Sequence, residues 1–464
     1  MNQGINAYEL NPNIDSSKTN IEINANLFSN IDFGALKSYL EDDNITDISY
    51  SNNGQVWLKS LDKGDYRIDN PGINNELMEK IAFQCANIMG KTFNMASPLL
   101  DSESSELRMN FIHDSIARNG IAAVFRKTPA KIRLKKEKII EEKYITTGIH
   151  NFLIECVKGH CNIIVSGETG SGKTELVKYL ASHTKDNEKI ITIEDTLELH
   201  LDAIFPERDI VSMKTNNIAS YSDVLMGCMR QNPKWILLSE VRSAEAVTAV
   251  RNSISSGHNI LSTIHADKAS SIPYRLYSLL ESNIDVEQFM TTIYRYIQLG
   301  VHVRARYDKQ TGRFLREVCE VCEFFVNHEN KPEHNVIYRK NIDGSEIINS
   351  PSPYLIEYLE GQGIDLKNKE FENIKIDLPF ENINRQVNQN VSLDNQLTNN
   401  QAILNQSLEN TNNFVVEQQS QTPVEPNLNT VPINIVPNLN NQQMAGFNPY
   451  MNSNYGLDEQ DEFL

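Results

Sequence analysis

The run Ile163-Ile-Val-Ser-Gly-Glu-Thr-Gly-Ser-Gly-Lys-Thr174 constrains this chain more than any other stretch. It fits G-x-x-x-x-G-K-[ST] in full. An apolar strand pattern precedes it, and Glu175-Leu-Val-Lys-Tyr-Leu-Ala181 follows as a helix former. A glycine-rich turn between a buried strand and a helix implies an α/β layer with a mainly parallel sheet. Gly167, Gly170 and Gly172 let the backbone wrap, so that the loop through Glu168, Thr169 and Ser171 turns its N–H groups inward. The helix N-terminus adds positive field at the same point, which suits a phosphate chain. Lys173 is expected to reach the β- and γ-phosphates and Thr174 to ligate Mg2+, so ATP with Mg2+ is the expected ligand.

Three further strand patterns end in polar residues, and the ends of parallel strands line the ligand crevice of such folds. Ile190-Ile-Thr-Ile-Glu194-Asp195 ends in carboxylates, with Glu198 just beyond. These carboxylates are expected to order water or Mg2+, Glu194 and Asp195 foremost; the alternative, acids at a helix N-cap and first turn, fits Glu198 equally well. Trp235-Ile-Leu-Leu-Ser-Glu240 ends in the acid expected to polarise the attacking water, directly or through the metal. Ile260-Leu-Ser-Thr-Ile-His265 places a histidine at the crevice, where it can sense the γ-phosphate.

The chain is built from parts of different character. Residues 1–30 are polar and read as a flexible arm. Residues 31–126 mix helix and strand patterns and read as a small α+β domain. A helix begins near Leu36, two strands flank Asn52-Asn-Gly as a hairpin, and Asn75–Ile88 has a helical apolar stripe. Arg108–His113 and Ala122–Arg126 read as a strand pair. Residues 127–147 are a charged linker, read as solvated because aromatics for base stacking are not interleaved with its lysines. Residues 148–325 carry the α/β pattern, and 326–380 read as a small mixed appendix.

Residues 381–464 are rich in Asn and Gln and have no lysine. From Asn382 onward they hold eight acids and one arginine, too little apolar surface to fold alone, so this tail is expected to be disordered. The whole chain has a formal charge of −18, which argues against nucleic-acid coating as its main work. The start lacks a signal-peptide pattern and no run is long and apolar enough to span a membrane, so a cytoplasmic location is expected. Six scattered cysteines read as reduced thiols. Cys319 and Cys322 lack a second ligand pair for zinc and read as part of a strand.

The four blocks Gly167–Thr174, Thr192–Leu199, Ile236–Arg242 and Gly257–Ala266, in this order, resemble the secretion and pilus traffic ATPases, the motors of type II and type IV secretion, type IV pili and conjugation. In that family they are the Walker A, Asp box, Walker B and His box. Ser239 stands where the family usually has Gly, and Glu175 where a second Thr is frequent. Asn44-Ile-Thr-Asp-Ile-Ser-Tyr and the strands bearing Arg108 and Arg126 resemble the N-terminal domain of the conjugation and tight-adherence branch. The four-cysteine zinc insert usual in the type II branch is missing.

The resemblance implies a RecA-like P-loop ATPase domain behind the α+β domain. It implies that Arg108 and Arg126 close over the triphosphate, and that Arg230 contacts nucleotide across a subunit boundary. It also implies a homo-hexamer docked at the cytoplasmic face of the inner membrane through platform or channel proteins; no direct nucleic-acid partner is expected, from the acidic charge balance. Two rival readings are a DNA-processing ATPase of the RecA/helicase type and a nucleotide-binding scaffold without turnover.

Overall fold

A computed structural model describes residues 28–374 apart from 29, 52–53, 70, 217–218, 281–283, 310, 367–370 and 372–373. The flexible arm expected over 1–30 (residues 28 and 30 aside), the disordered tail expected over 381–464 and part of the hairpin turn at Asn52 lie outside the described residues.

Alternating apolar residues build the first sheet. Its strands are β1 (Ile45–Ser51), β2 (Gln55–Ser60), β3 (Gly64–Ile68), β4 (Leu99–Glu103), β5 (Leu107–Ile112) and β6 (Ala122–Lys127), antiparallel in the order β3-β2-β1-β6-β5-β4. One face buries Ile48, Tyr50, Val56, Leu58, Met109, Phe111 and Phe125 against Met78, Ile81 and Cys85 of the helix Asn75–Ile88. That helix starts at Asn74, whose side chain accepts from the Leu77 N–H. The hairpin, the helix and the strand pair are found as expected. Strands β3 and β4 were not anticipated, because Gly64-Asp-Tyr-Arg-Ile and Leu99-Leu-Asp-Ser-Glu alternate too weakly to stand out.

With a side-chain period of two, the other face collects the charges. Lys59, Asp47, Arg126, Arg108 and Glu103 are directly opposite one another, in that order, across β2, β1, β6, β5 and β4.

The second sheet contains β7 (Ile163–Gly167), β8 (Ile190–Glu194), β9 (Ile210–Lys214), β10 (Trp235–Val241), β11 (Asn259–Ile264), β12 (Leu299–Asp308), β13 (Arg313–Val326), β14 (Pro332–Lys340) and β15 (Glu346–Ile348). Their order is β15-β14-β13-β12-β7-β11-β10-β8-β9. The six strands from β12 to β9 in this order are parallel, and the three on the other side of β12 are antiparallel. Unbroken apolar runs are what a sheet covered on both faces requires. Trp235 and Leu237 enter one core layer while Ile236 and Leu238 enter the other.

Two segments differ from the sequence-based expectation. The segment after residue 325 is no separate appendix: β14 pairs with β13 from Pro332 to Arg339 and extends the same sheet. Cys319 and Cys322 lie in β13 as expected and both are buried. The charged linker is also less solvated than its composition suggests. Lys178 Nζ donates to the Pro129 carbonyl at 3.1 Å, the Arg133 N–H donates to Glu175 at 3.3 Å, and Ile139 of the short helix Lys136–Glu141 is buried. It is laid along the helix that follows the glycine-rich loop.

Candidate functional site

The loop between β7 and the helix Lys173–Ala181 is shaped by two close constraints. A Cβ on Gly167 would meet the Val303 carbonyl oxygen at 2.4 Å, and Gly172 caps the helix with φ +97°. Only glycine fits both without strain. Lys173 is buried and its Nζ lies 3.0 Å from the carbonyl oxygens of Gly167 and Glu168 and 3.5 Å from His265 Nδ1. Burial lowers the pKa of Lys173 despite the opposing charges of Glu240, Glu198 and Glu168. Within the loop, Ser171 Oγ is buried with no partner among the described residues. A buried cation, an orphaned hydroxyl and an open helix N-terminus together fit a phosphate chain.

The ends of β8, β10 and β11 supply the other groups. Glu240 Oε1 is 2.8 Å from His265 Nε2, so these two and Lys173 form one chain of contacts. The acid that reaches the loop helix is Glu198, whose Oε2 accepts from the Thr174 hydroxyl at 3.3 Å. Burial and the Glu240 charge raise the pKa of Glu198, with Arg126 and Thr174 opposing.

Glu194 was expected at the metal and is placed otherwise. It is fully buried, and its Oε2 accepts from the N–H groups of Glu198 and Leu199 at 2.8 and 3.0 Å while Oε1 accepts from Thr192. Its carboxyl therefore shapes the turn that presents Glu198. Asp195 pairs with Arg242.

Burial pushes Glu194 up to about 7 against the backbone bonds that favour its charge. The folded protein thus retains a proton there, between the ordinary carboxylate range and about 7, that the unfolded chain has released. This share of stability is full below the ordinary range and is lost as pH rises through that window. Glu194→Gln is expected to remove this pH dependence and to raise stability above pH 7 by on the order of 3 kcal/mol. Denaturant titrations from pH 5 to 8.5 measure this; equal pH slopes for both proteins would contradict it. Glu323, also pushed up to about 7 by burial, keeps a residual slope in either protein.

The charged row of the first sheet lies over this crevice. Arg126 Nε donates to Asp47 Oδ1 at 2.7 Å. Burial opposes its charge, but Asp47, Glu198 and Glu240 together raise its pKa above the usual value. Glu103 accepts from the Leu197 N–H at 3.1 Å and pairs with Lys214. At the far end, a Cβ on Gly170 would sit 3.2 Å from Lys59 Nζ. Arg108 is half-buried beside Arg126, as its strand pairing requires. Arg230 is exposed at the end of the helix Tyr221–Met229 and, among the described residues, makes no hydrogen bond or ion pair with the loop. The sequence reading missed Asp47, Lys59, Glu103 and Arg316. The period of the strands marks the first three as one polar face, but nothing local says what that face covers.

A protein-family model described as "Type II/IV secretion system protein" matches residues 103–338. A Bacillus anthracis protein described as uncharacterized is 27% identical over 323 residues, covering 68% of this chain and 73% of that protein. Type IV secretion system protein VirB11 of Bartonella quintana is 37% identical over 177 residues, covering 34% of this chain and 48% of that one. The crystal structure of the Brucella suis VirB11 ATPase with sulphate aligns at a TM-score of 0.33 and 22% identity, over 65% of this chain and 94% of that one. With the family model spanning both the arginine strands and the whole crevice, the chain belongs to the type II/IV secretion system protein family, the P-loop ATPases of secretion and pilus traffic.

Proposed function

We propose that this chain is a motor subunit that hydrolyses ATP between its two sheets and converts the cycle into movement of the N-terminal sheet. The observation that carries this reading is the charged row. The N-terminal sheet touches the loop at Lys59, approaches the Glu198 and Glu240 carboxylates with Arg126, and holds the Leu197 turn with Glu103. A triphosphate in this crevice would meet both lobes, so loss of its γ-phosphate changes what joins them.

Lys173 and the loop N–H groups hold the phosphates, and Glu240, backed by His265, orients and deprotonates water. Arg126 with Arg108 answers the charge that spreads over the γ-oxygens. Thr174, with Glu198 beside it, is the pair that would hold Mg2+, an ion that needs few protein ligands and would neutralise charge on the phosphates.

A homo-hexamer at the cytoplasmic face of a membrane, working on a secretion, conjugation or pilus-like machine through its platform proteins, is the assembly proposed. In it Arg230 would serve a neighbouring subunit. Among the described residues no helix is long and apolar enough to cross a membrane. The DNA-processing alternative shares the phosphate loop, but two lysines of the basic linker are turned to the N-terminal sheet: Lys131 pairs with Asp43 and Lys127 Nζ donates to the Asp42 carbonyl at 2.7 Å.

The test is phosphate release by the purified full chain with ATP and Mg2+, alongside sedimentation. Lys173→Ala is expected to weaken nucleotide binding at least about tenfold and to abolish release. Absence of turnover in the wild type across protein concentrations, or stimulation by DNA alone, would overturn the proposal.

A further inference from the structure

One arginine joins the phosphate loop to the N-terminal sheet from a third direction. Arg316, on β13, donates from Nε to the Gly170 carbonyl at 3.1 Å and from Nη1 to the Leu61 carbonyl at 2.7 Å. Gly170 is the crown of the phosphate loop, and Leu61 is in the turn between β2 and β3. The Arg316 side chain also passes over Gly172, where a Cβ would lie 3.6 Å from its Cδ.

Two residues earlier, the Phe314 N–H donates to the Asp62 carbonyl at 2.6 Å. The Phe314 ring covers Gly64, where a Cβ would come within 2.3 Å of it, and Tyr307 backs that ring at 5.6 Å between centroids. The turn itself is pre-shaped by Asp62, which accepts from Asn44 at 2.7 Å and Ser60 at 3.0 Å. The β12–β13 hairpin therefore grips the N-terminal sheet beside the point where it reads the loop.

The electrostatics of this grip are unbalanced. Among the described residues Arg316 makes no ion pair with a carboxylate, and its nearest charged company includes Arg133. Arg133 itself has a buried Nη2 with no partner. Burial, abetted by Arg133 and only in part offset by Tyr144, lowers the pKa of the Arg316 guanidinium. A desolvated cation held by two neutral carbonyls is costly, and an anion nearby relieves that cost. A nucleoside triphosphate in the loop is such an anion.

We propose that Arg316 is a positioning residue that couples occupancy of the phosphate loop to docking of the N-terminal sheet, by holding the Gly170 and Leu61 carbonyls with one guanidinium. This rests on the nucleotide-binding reading above. Bound nucleotide stabilises the bridging guanidinium, which clamps the β2–β3 turn. By linkage, docking of the turn raises nucleotide affinity by the same factor.

The experiment is hydrogen exchange over residues 60–64 of the full chain, with and without a non-hydrolysable ATP analogue and Mg2+, together with the analogue's Kd. In the wild type the analogue is expected to slow exchange of the turn. Arg316→Ala is expected to lose that extra protection and to raise Kd about tenfold. Arg316→Lys, which can hold one carbonyl at a time, should restore part of both. Phe314→Ala frees the turn without touching the phosphate loop, so it should raise Kd by a similar factor, and adding it to Arg316→Ala should change little further.

A role confined to stability would lower the melting temperature of these variants and leave the nucleotide-dependent protection as in the wild type; that result overturns the coupling. If Arg316→Ala does not fold, Arg316→Lys and Phe314→Ala decide, and an unchanged Kd in both is equally fatal. Failure of the wild type to bind the analogue would instead remove the proposed function itself.

Discussion

Glu240→Gln is expected to leave nucleotide affinity close to the wild-type value and to lower ATP turnover by about 10²–10⁴-fold. The side chain keeps its size and its oxygen can still accept from His265 Nε2, at the 2.8 Å now spanned by Oε1. What it loses is the ability to take a proton from water. Since Glu240 also raises the pKa of Glu198 by its charge, the variant should lower that pKa and let Glu198 ionise more readily. Glu198 is thereby the natural carrier of any residual rate. Adding Glu198→Gln to Glu240→Gln should remove the remainder. The measurements are equilibrium binding and steady-state phosphate release on the same preparation. Turnover within twofold of wild type would take the base assignment away from Glu240.

The second large effect is expected at Arg126. Its replacement by Ala should lower kcat on the order of 10²–10³-fold, with a much smaller rise in KM. The guanidinium is already oriented, with Nε spent on Asp47 and, among the described residues, no further hydrogen bond or ion pair on its other nitrogens. The carboxylates of Asp47, Glu198 and Glu240 favour its charge, although the side chain keeps part of its surface in solvent. Lysine cannot reproduce the planar fork, so Arg126→Lys should recover little. Asp47→Asn tests the orientation alone: the arginine stays but loses its charged anchor, and a drop of about tenfold in kcat is expected. If Arg126→Ala raises KM and leaves kcat untouched, the residue binds substrate in the ground state and does not serve the transition state.

Much of this site was legible along the chain because its chemistry is local. A glycine-rich loop between an apolar strand and a helix has one main structural meaning, and Lys173 and Thr174 follow from it by position. Glu240 and His265 were placed by strand ends, which topology brings to the crevice whatever the loops do. Glu194 shows the limit of that logic. A carboxylate at a strand end either faces the crevice or turns under it, and the choice depended on the N–H groups of Glu198 and Leu199, which the backbone of the next turn aims at it.

The polar face of the N-terminal sheet shows a second limit. Its period of two marks Asp47, Arg126 and Lys59 as facing the same way. Arg126 was singled out by resemblance, while Asp47 and Lys59 look like ordinary surface charges until the sheet is seen to lie over the loop. Arg316 was hidden further, in a strand 146 residues from the loop glycine that it grips.

Local sequence was enough for the phosphate-binding loop, for the alternation of apolar strands and helices around it, and for Glu240 and His265 at their strand ends, because each depends on neighbours a few positions away. Which carboxylate meets Thr174, which charges of the N-terminal sheet cover the crevice, and that a hairpin arginine ties the two lobes together were settled by the assembled fold. Those contacts join segments far apart in the chain, and hydrophobic periodicity records which face a residue is on without recording what that face will meet.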